Sequence, residues 1–101
     1  RLTLNGNQIT MLPPDIGNLT KLQSLNISNN RLTTLPPDIG KVVNLQMLNA
    51  TRNQIASLPP DMSKLANLQK FHIADNKLTS LPGGMSDLTD LQEINLARNK
   101  E

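Results

Sequence analysis

The sequence predicts an α/β fold of stacked repeats, each contributing a short strand and a short helical turn. Three observations carry this expectation. The stretch "LQSLNISNNRLTTLPPDIG" from Leu22 to Gly40 recurs from Leu45 as "LQMLNATRNQIASLPPDMS". The leucines that open the units, Leu22, Leu45, Leu68 and Leu91, stand a constant 23 residues apart. An asparagine fills one column in every unit, at Asn7, Asn30, Asn53, Asn76 and Asn99. A fixed period held without insertion marks units that cannot bury their apolar faces alone and stack into one continuous core.

Within a unit the strand comes first. Leu25, Leu48, Phe71 and Ile94 follow the opening leucine by three places, and Ile27, Ala50, Ile73 and Leu96 follow by two more. This two-residue alternation buries one face and predicts strands near residues 2–4, 24–27, 47–50, 70–73 and 93–96. The asparagine comes where the chain leaves the strand. A buried carboxamide both donates and accepts, so it satisfies backbone groups that a tight bend leaves unpaired, and one above another would form a ladder. Ile9, Leu32, Ile55 and Leu78 return to the core, followed by Leu12, Leu35, Leu58 and Leu81. Proline at Pro13, Pro36, Pro59 and Pro82 then fixes φ where no amide donor is needed. Two more apolar columns, Ile16, Ile39, Met62, Met85 and Leu19, Val42, Leu65, Leu88, lie three residues apart and predict a single helical or 3₁₀ turn.

Units such as "LQSLNISNNRLTTLPPDIGKVVN" resemble leucine-rich repeats of the 23-residue form that ends in "LPxxIG". That form is similar to the intracellular class of Ras-pathway scaffold proteins and plant Ras-group-related repeat proteins; the "LxGxIP" of extracellular plant repeats is absent. The resemblance implies a leucine-rich repeat solenoid, a curved right-handed coil with a parallel sheet on its concave face and short helical or 3₁₀ turns on its convex side. It divides residues 1–101 into a partial repeat 1–21, repeats 22–44, 45–67 and 68–90, and a partial repeat 91–101. Departures are few. Ala50 replaces a larger core residue, Ser63 and Ser86 replace the glycine, and Gly83-Gly84 replace the usual Pro-Asp pair. Arg1 occupies the third position of a strand and Glu101 an apolar position, so the expectation is an excerpt of a longer array.

Composition narrows the function classes. The net charge of +2 is too small to imply nucleic acid or an acidic membrane. No apolar run approaches the roughly 18 residues of a membrane span. Cysteine is absent, which leaves no disulfide or thiolate metal site and points to a reducing, cytoplasmic setting. The lone histidine, His72, lacks companion ligands, and neither it nor Asp75 has an activated serine or cysteine for a triad. Gly83-Gly84 lacks the spacing and the lysine of a phosphate loop. Phe71 falls in a core column rather than on a base-stacking platform, and three glycosylation sequons, beginning at Asn18, Asn26 and Asn49, read as silent. The expectation is no catalysis, no cofactor, no metal, no nucleic acid and no membrane insertion.

What the period leaves free is the outer face of each strand. Its columns read Arg1, Ser24, Met47, Lys70, Glu93; then Thr3, Asn26, Asn49, His72, Asn95; then Asn5, Ser28, Thr51, Ala74, Ala97; and Gly6, Asn29, Arg52, Asp75, Arg98. Five strands about 4.8 Å apart make a strip roughly 20 Å across with on the order of 20 exposed residues, about one side of a standard protein interface. Its distinctive members are Met47, Arg52, Lys70, His72, Asp75, Glu93 and Arg98. Singly, the charges read as cross-strand pairs, Arg52–Asp75–Arg98 and Lys70–Glu93, each worth roughly 0.2–1 kcal/mol. Together they read as a recognition patch for a protein partner, making the chain a protein-interaction scaffold. The alternative is the recognition or regulatory arm of a larger kinase, GTPase or cyclase, as similar repeats are attached to such enzymes.

Overall fold

The computed structural model describes residues 1–85, 88 and 90–99. The strands are β1 (Leu2–Thr3), β2 (Ser24–Asn26), β3 (Met47–Asn49), β4 (Lys70–His72) and β5 (Glu93–Asn95). They form one parallel sheet in chain order, β1-β2-β3-β4-β5. Every register partner lies one period on: Ser24 faces Met47, Met47 faces Lys70, and Lys70 faces Glu93. The strands end one residue earlier than their expected bounds, yet the ladder continues. Leu4 N donates to Asn26 O at 2.7 Å, Ile27 N to Asn49 O at 2.8 Å and Ala50 N to His72 O at 2.7 Å.

The return segments form 3₁₀ turns, η1 (Pro14–Asn18), η2 (Pro37–Lys41) and η3 (Pro60–Lys64), which stack on one another. The paired prolines explain their starts. A residue before proline is driven to extended backbone, and Pro13, Pro36 and Pro59 have ψ of 152°, 148° and 146°. The second proline then opens the turn, where its missing N–H would be unpaired anyway. Each turn closes when Leu19, Val42 or Leu65 donates its N–H to the Ile16, Ile39 or Met62 carbonyl.

Between sheet and turns lies the core. Leu25, Ile27, Leu32, Ile39, Val42 and Leu45 are wholly inaccessible. So are the undersized Ala50 and the bulky Phe71 of the next unit. The same columns open up in β5, where Ile94 and Leu96 are each 40% exposed, because among the described residues nothing packs on its outer side.

The glycine of the turn has a steric reason. A Cβ at Gly40 would stand 2.7 Å from the Asp61 carbonyl oxygen and 2.9 Å from Asp61 Cβ; one at Gly17 would meet Asp38 O at 2.9 Å. Ser63 breaks this column, and in the register of Asp38 and Asp61 the following unit has Gly84, which carries no Cβ. Gly84 thus lacks the Cβ that contributes to the crowding in this column, while its backbone carbonyl remains. Ser86 and Glu101, the other departures noted in the sequence, lie outside the described residues.

Candidate functional site

Three layers of polar residues build the surface above the core. The innermost is the asparagine ladder. Asn53 Nδ2 donates to Ile27 O and Ala50 O, both at 3.0 Å, while its Oδ1 accepts from Leu32 N at 3.0 Å. Asn76 repeats this one unit on with Ala50 O, Ile73 O and Ile55 N, and Asn30 one unit back with Leu4 O, Ile27 O and Ile9 N. All three are buried. Burial of the ladder fails at its ends. Asn7 is exposed and bonds only to Leu4 O and Asn5 O of its own unit; Asn99 is half-buried, though it keeps Ile73 O and Leu78 N. Burial here comes from the flanking units rather than from the asparagine.

The second layer was not separable from the free strand face by sequence. Asn26, Asn49 and Asn95 each turn Oδ1 onto the amide two residues ahead, at Ser28 (3.0 Å), Thr51 (3.1 Å) and Ala97 (3.1 Å). They serve the bend more than a partner. On the opposite side, Asn44 and Asn67 reach back to the Thr20 and Val43 carbonyls at 2.9 and 3.0 Å, forming a further ladder at the same 23-residue period. Its sequence signal was present, but Lys21 and Asp90 interrupt the column.

The outermost layer holds the candidate binding residues. Met47, Lys70 and Glu93 are register partners and form one row across β3, β4 and β5. His72 lies in the adjacent row between Asn49 and Asn95. The expected Lys70–Glu93 pair does not form; the Glu93 carboxylate goes to His72 Nε2 instead. That is the diagonal neighbour, two residues from the facing position and within reach of long side chains.

Arg52, Asp75 and Arg98 are not on the strands. With Asn29 they share left-handed backbone, φ between 56° and 60°, and Gly6 has φ 75° in the same column. The conformation turns each amide onto the next unit: Asn29 N to Thr51 O (2.8 Å), Arg52 N to Ala74 O (3.0 Å), Asp75 N to Ala97 O (2.9 Å). Arg98 grips the Asp75 carboxylate with both Nε and a terminal guanidinium nitrogen, the latter at 2.9 Å. This hydrogen bond holds the Asp75 carboxyl below its usual range against partial desolvation, helped by the charges of Arg98 and Arg52. Arg52 contributes only that charge; it makes no ion pair among the described residues.

The leucine-rich repeat region family matches over residues 2–101. The chain belongs to the leucine-rich repeat family. A leucine-rich repeat protein of Leptospira interrogans superposes with a TM-score of 0.95 at 41% identity, over 96% of this chain and 25% of that one. This chain therefore spans about a quarter of the length of that relative. No curated protein matches significantly. Among the described residues, no three His, Asp or Glu side chains could share a metal ion, and no helix is long and apolar enough to cross a membrane.

Proposed function

We propose that this leucine-rich repeat segment is a non-catalytic module that holds a protein partner on its strand face. The observation that carries the reading is the Met47–Lys70–Glu93 row. These side chains stand on three consecutive parallel strands in strict register, with the His72–Glu93 pair beside them. Unlike the asparagine columns, the side chains of Met47 and Lys70 bond to no backbone among the described residues, so the fold does not require their identities. A row on a rigid sheet loses little order on contact, which favours binding over display on loops. Leucine-rich repeat folds commonly serve protein interaction, and the face is of suitable size.

The test places a photocrosslinking residue at Lys70, and for comparison at Lys64 on η3. In extract from the source cells, the Lys70 position should yield a discrete protein adduct that fades when Met47→Ala is added. Adducts at Lys64 with none at Lys70 would move the binding surface to the turn side and sink the proposal.

A further inference from the structure

The bend beside the ladder carries a charge pattern that the strand face does not. Each of Asn30, Asn53, Asn76 and Asn99 has a basic residue next to it in the chain, Arg31, Arg52, Lys77 and Arg98 among the described residues. All four are solvent-exposed, while Asn30, Asn53 and Asn76 between them turn inward. Arg52 and Arg98 precede their asparagine and Arg31 and Lys77 follow theirs, so the cations flank the ladder along the bend edge in two alternating columns, one per unit. Asp75 is the one acid in the two columns that flank the ladder among the described residues. Of the other described aspartates, Asp15, Asp38 and Asp61 lie on the 3₁₀ turns, where Asp38 and Asp61 are paired with Lys41 and Lys64, and Asp90 lies just before Leu91, away from both columns.

Backbone geometry adds an independent reason to regard these arginines as more than solvated charge. Left-handed φ suits glycine, and asparagine or aspartate tolerate it through local hydrogen bonding. Gly6, Asn29 and Asp75 fit that rule; Arg52 and Arg98 do not. An arginine at a position its backbone disfavours gives no local conformational gain, so the head group is the part to which a role can be assigned. The edge also displays its own chemistry, since the Asp75 carboxylate is already held by Arg98 through two guanidinium nitrogens.

We propose that this edge docks an acidic peptide segment of the protein partner, with carboxylates received by Arg31, Arg52 and Lys77. The proposal rests on the reading of the chain as a protein-binding module and names the chemistry of what it binds. A nucleic acid fits less well, because the edge offers no exposed aromatic side chain to stack on a base, Phe71 being fully buried.

A fluorescein-labelled peptide of alternating Asp and Glu, its Asn/Gln counterpart and a single-stranded oligothymidylate are titrated against the chain at low salt. The acidic peptide should bind in preference to the other two. Each of Arg31→Ala, Arg52→Gly and Lys77→Ala should weaken it about threefold, the worth of an exposed ion pair. Arg52→Gly is the decisive variant, because glycine relieves the left-handed backbone, so thermal stability should hold while affinity falls. Unchanged affinity in all three variants overturns the proposal, as does no binding of the acidic peptide. Tighter binding of the oligothymidylate overturns it in favour of a nucleic acid. Lys41→Ala, on η2, should leave peptide binding intact, and because the titration uses a free peptide, a failure here is separable from a failure of the strand-face crosslink.

Discussion

Replacing Asn53 by alanine removes a side chain that serves three backbone groups in two units. Ile27 O, Ala50 O and Leu32 N all lose their bond at once. Asn53 is 7% exposed, so water has little access to replace it. At roughly 1–1.5 kcal/mol for each bond lost, and more where a buried group stays unpaired, the substitution costs about 3–5 kcal/mol. That is a large share of the roughly 5–15 kcal/mol that holds a typical domain together. Asn7→Ala is the matched control, since Asn7 occupies the same column but is exposed and bonds only within its own unit. Its loss should be under about 1 kcal/mol, the net worth of one accessible hydrogen bond. Urea unfolding of both variants followed by circular dichroism measures the difference. Equal, small losses would refute the argument, because they would show that the ladder is decoration on a core held by leucine alone.

Two other outcomes are expected. Gly40→Ala should destabilise by about 1–3 kcal/mol in the same urea assay, because its Cβ would press on Asp61 backbone that cannot swing away. Ser63→Gly should be nearly silent by comparison. The Asp75–Arg98 pair should give an acid-sensitive contribution to stability. The folded-state pKa of Asp75 is held below the ordinary aspartate value of 3.8, first by the Arg98 hydrogen bond, so the contribution is complete above that pH and is lost as pH falls through the lower, folded value. The gap in urea midpoint between the parent chain and Asp75→Asn should therefore be constant near neutrality and shrink below about pH 3.8. A gap that persists unchanged to about pH 2 would show that the carboxylate charge is not what the pair uses.

The core and the order of the strands were legible because each apolar column repeats one physical demand at one spacing. Leu25, Leu48, Phe71 and Ile94 differ in shape but all answer to burial on a period-two strand. The left-handed column was not legible. Only Gly6, Asn29 and Asp75 carry a local tolerance of positive φ, and Arg52 and Arg98 read as ordinary exposed positions. The conformation is imposed by the bend and by amides such as Arg52 N, which donates to Ala74 O in another unit. Likewise, the partner of Glu93 depends on side-chain direction rather than register, so facing positions suggested Lys70 where the diagonal supplied His72. The residues of the candidate surface are thus divided between two settings, a strand row and a bend.

The asparagine ladder also gives the stack a polarity. Asn53 belongs to one unit, yet two of its three partners, Ile27 O and Leu32 N, belong to the unit before it. Asn76 serves Ala50 O and Ile55 N in the same backward sense, and Asn99 serves Ile73 O and Leu78 N. The dependence runs one way: the backbone of each unit is completed by a side chain of its successor. Within the ladder, peeling away a later unit strips side-chain bonds from the backbone left behind, whereas peeling away an earlier one frees an asparagine side chain; sheet bonds such as Ile27 N to Asn49 O and Gln46 N to Gln23 O are lost in either case. Nearest-neighbour coupling of this kind is usually treated as symmetric in repeat arrays. Here the ladder adds a directional part to that coupling, on top of sheet bonds shared evenly between neighbours.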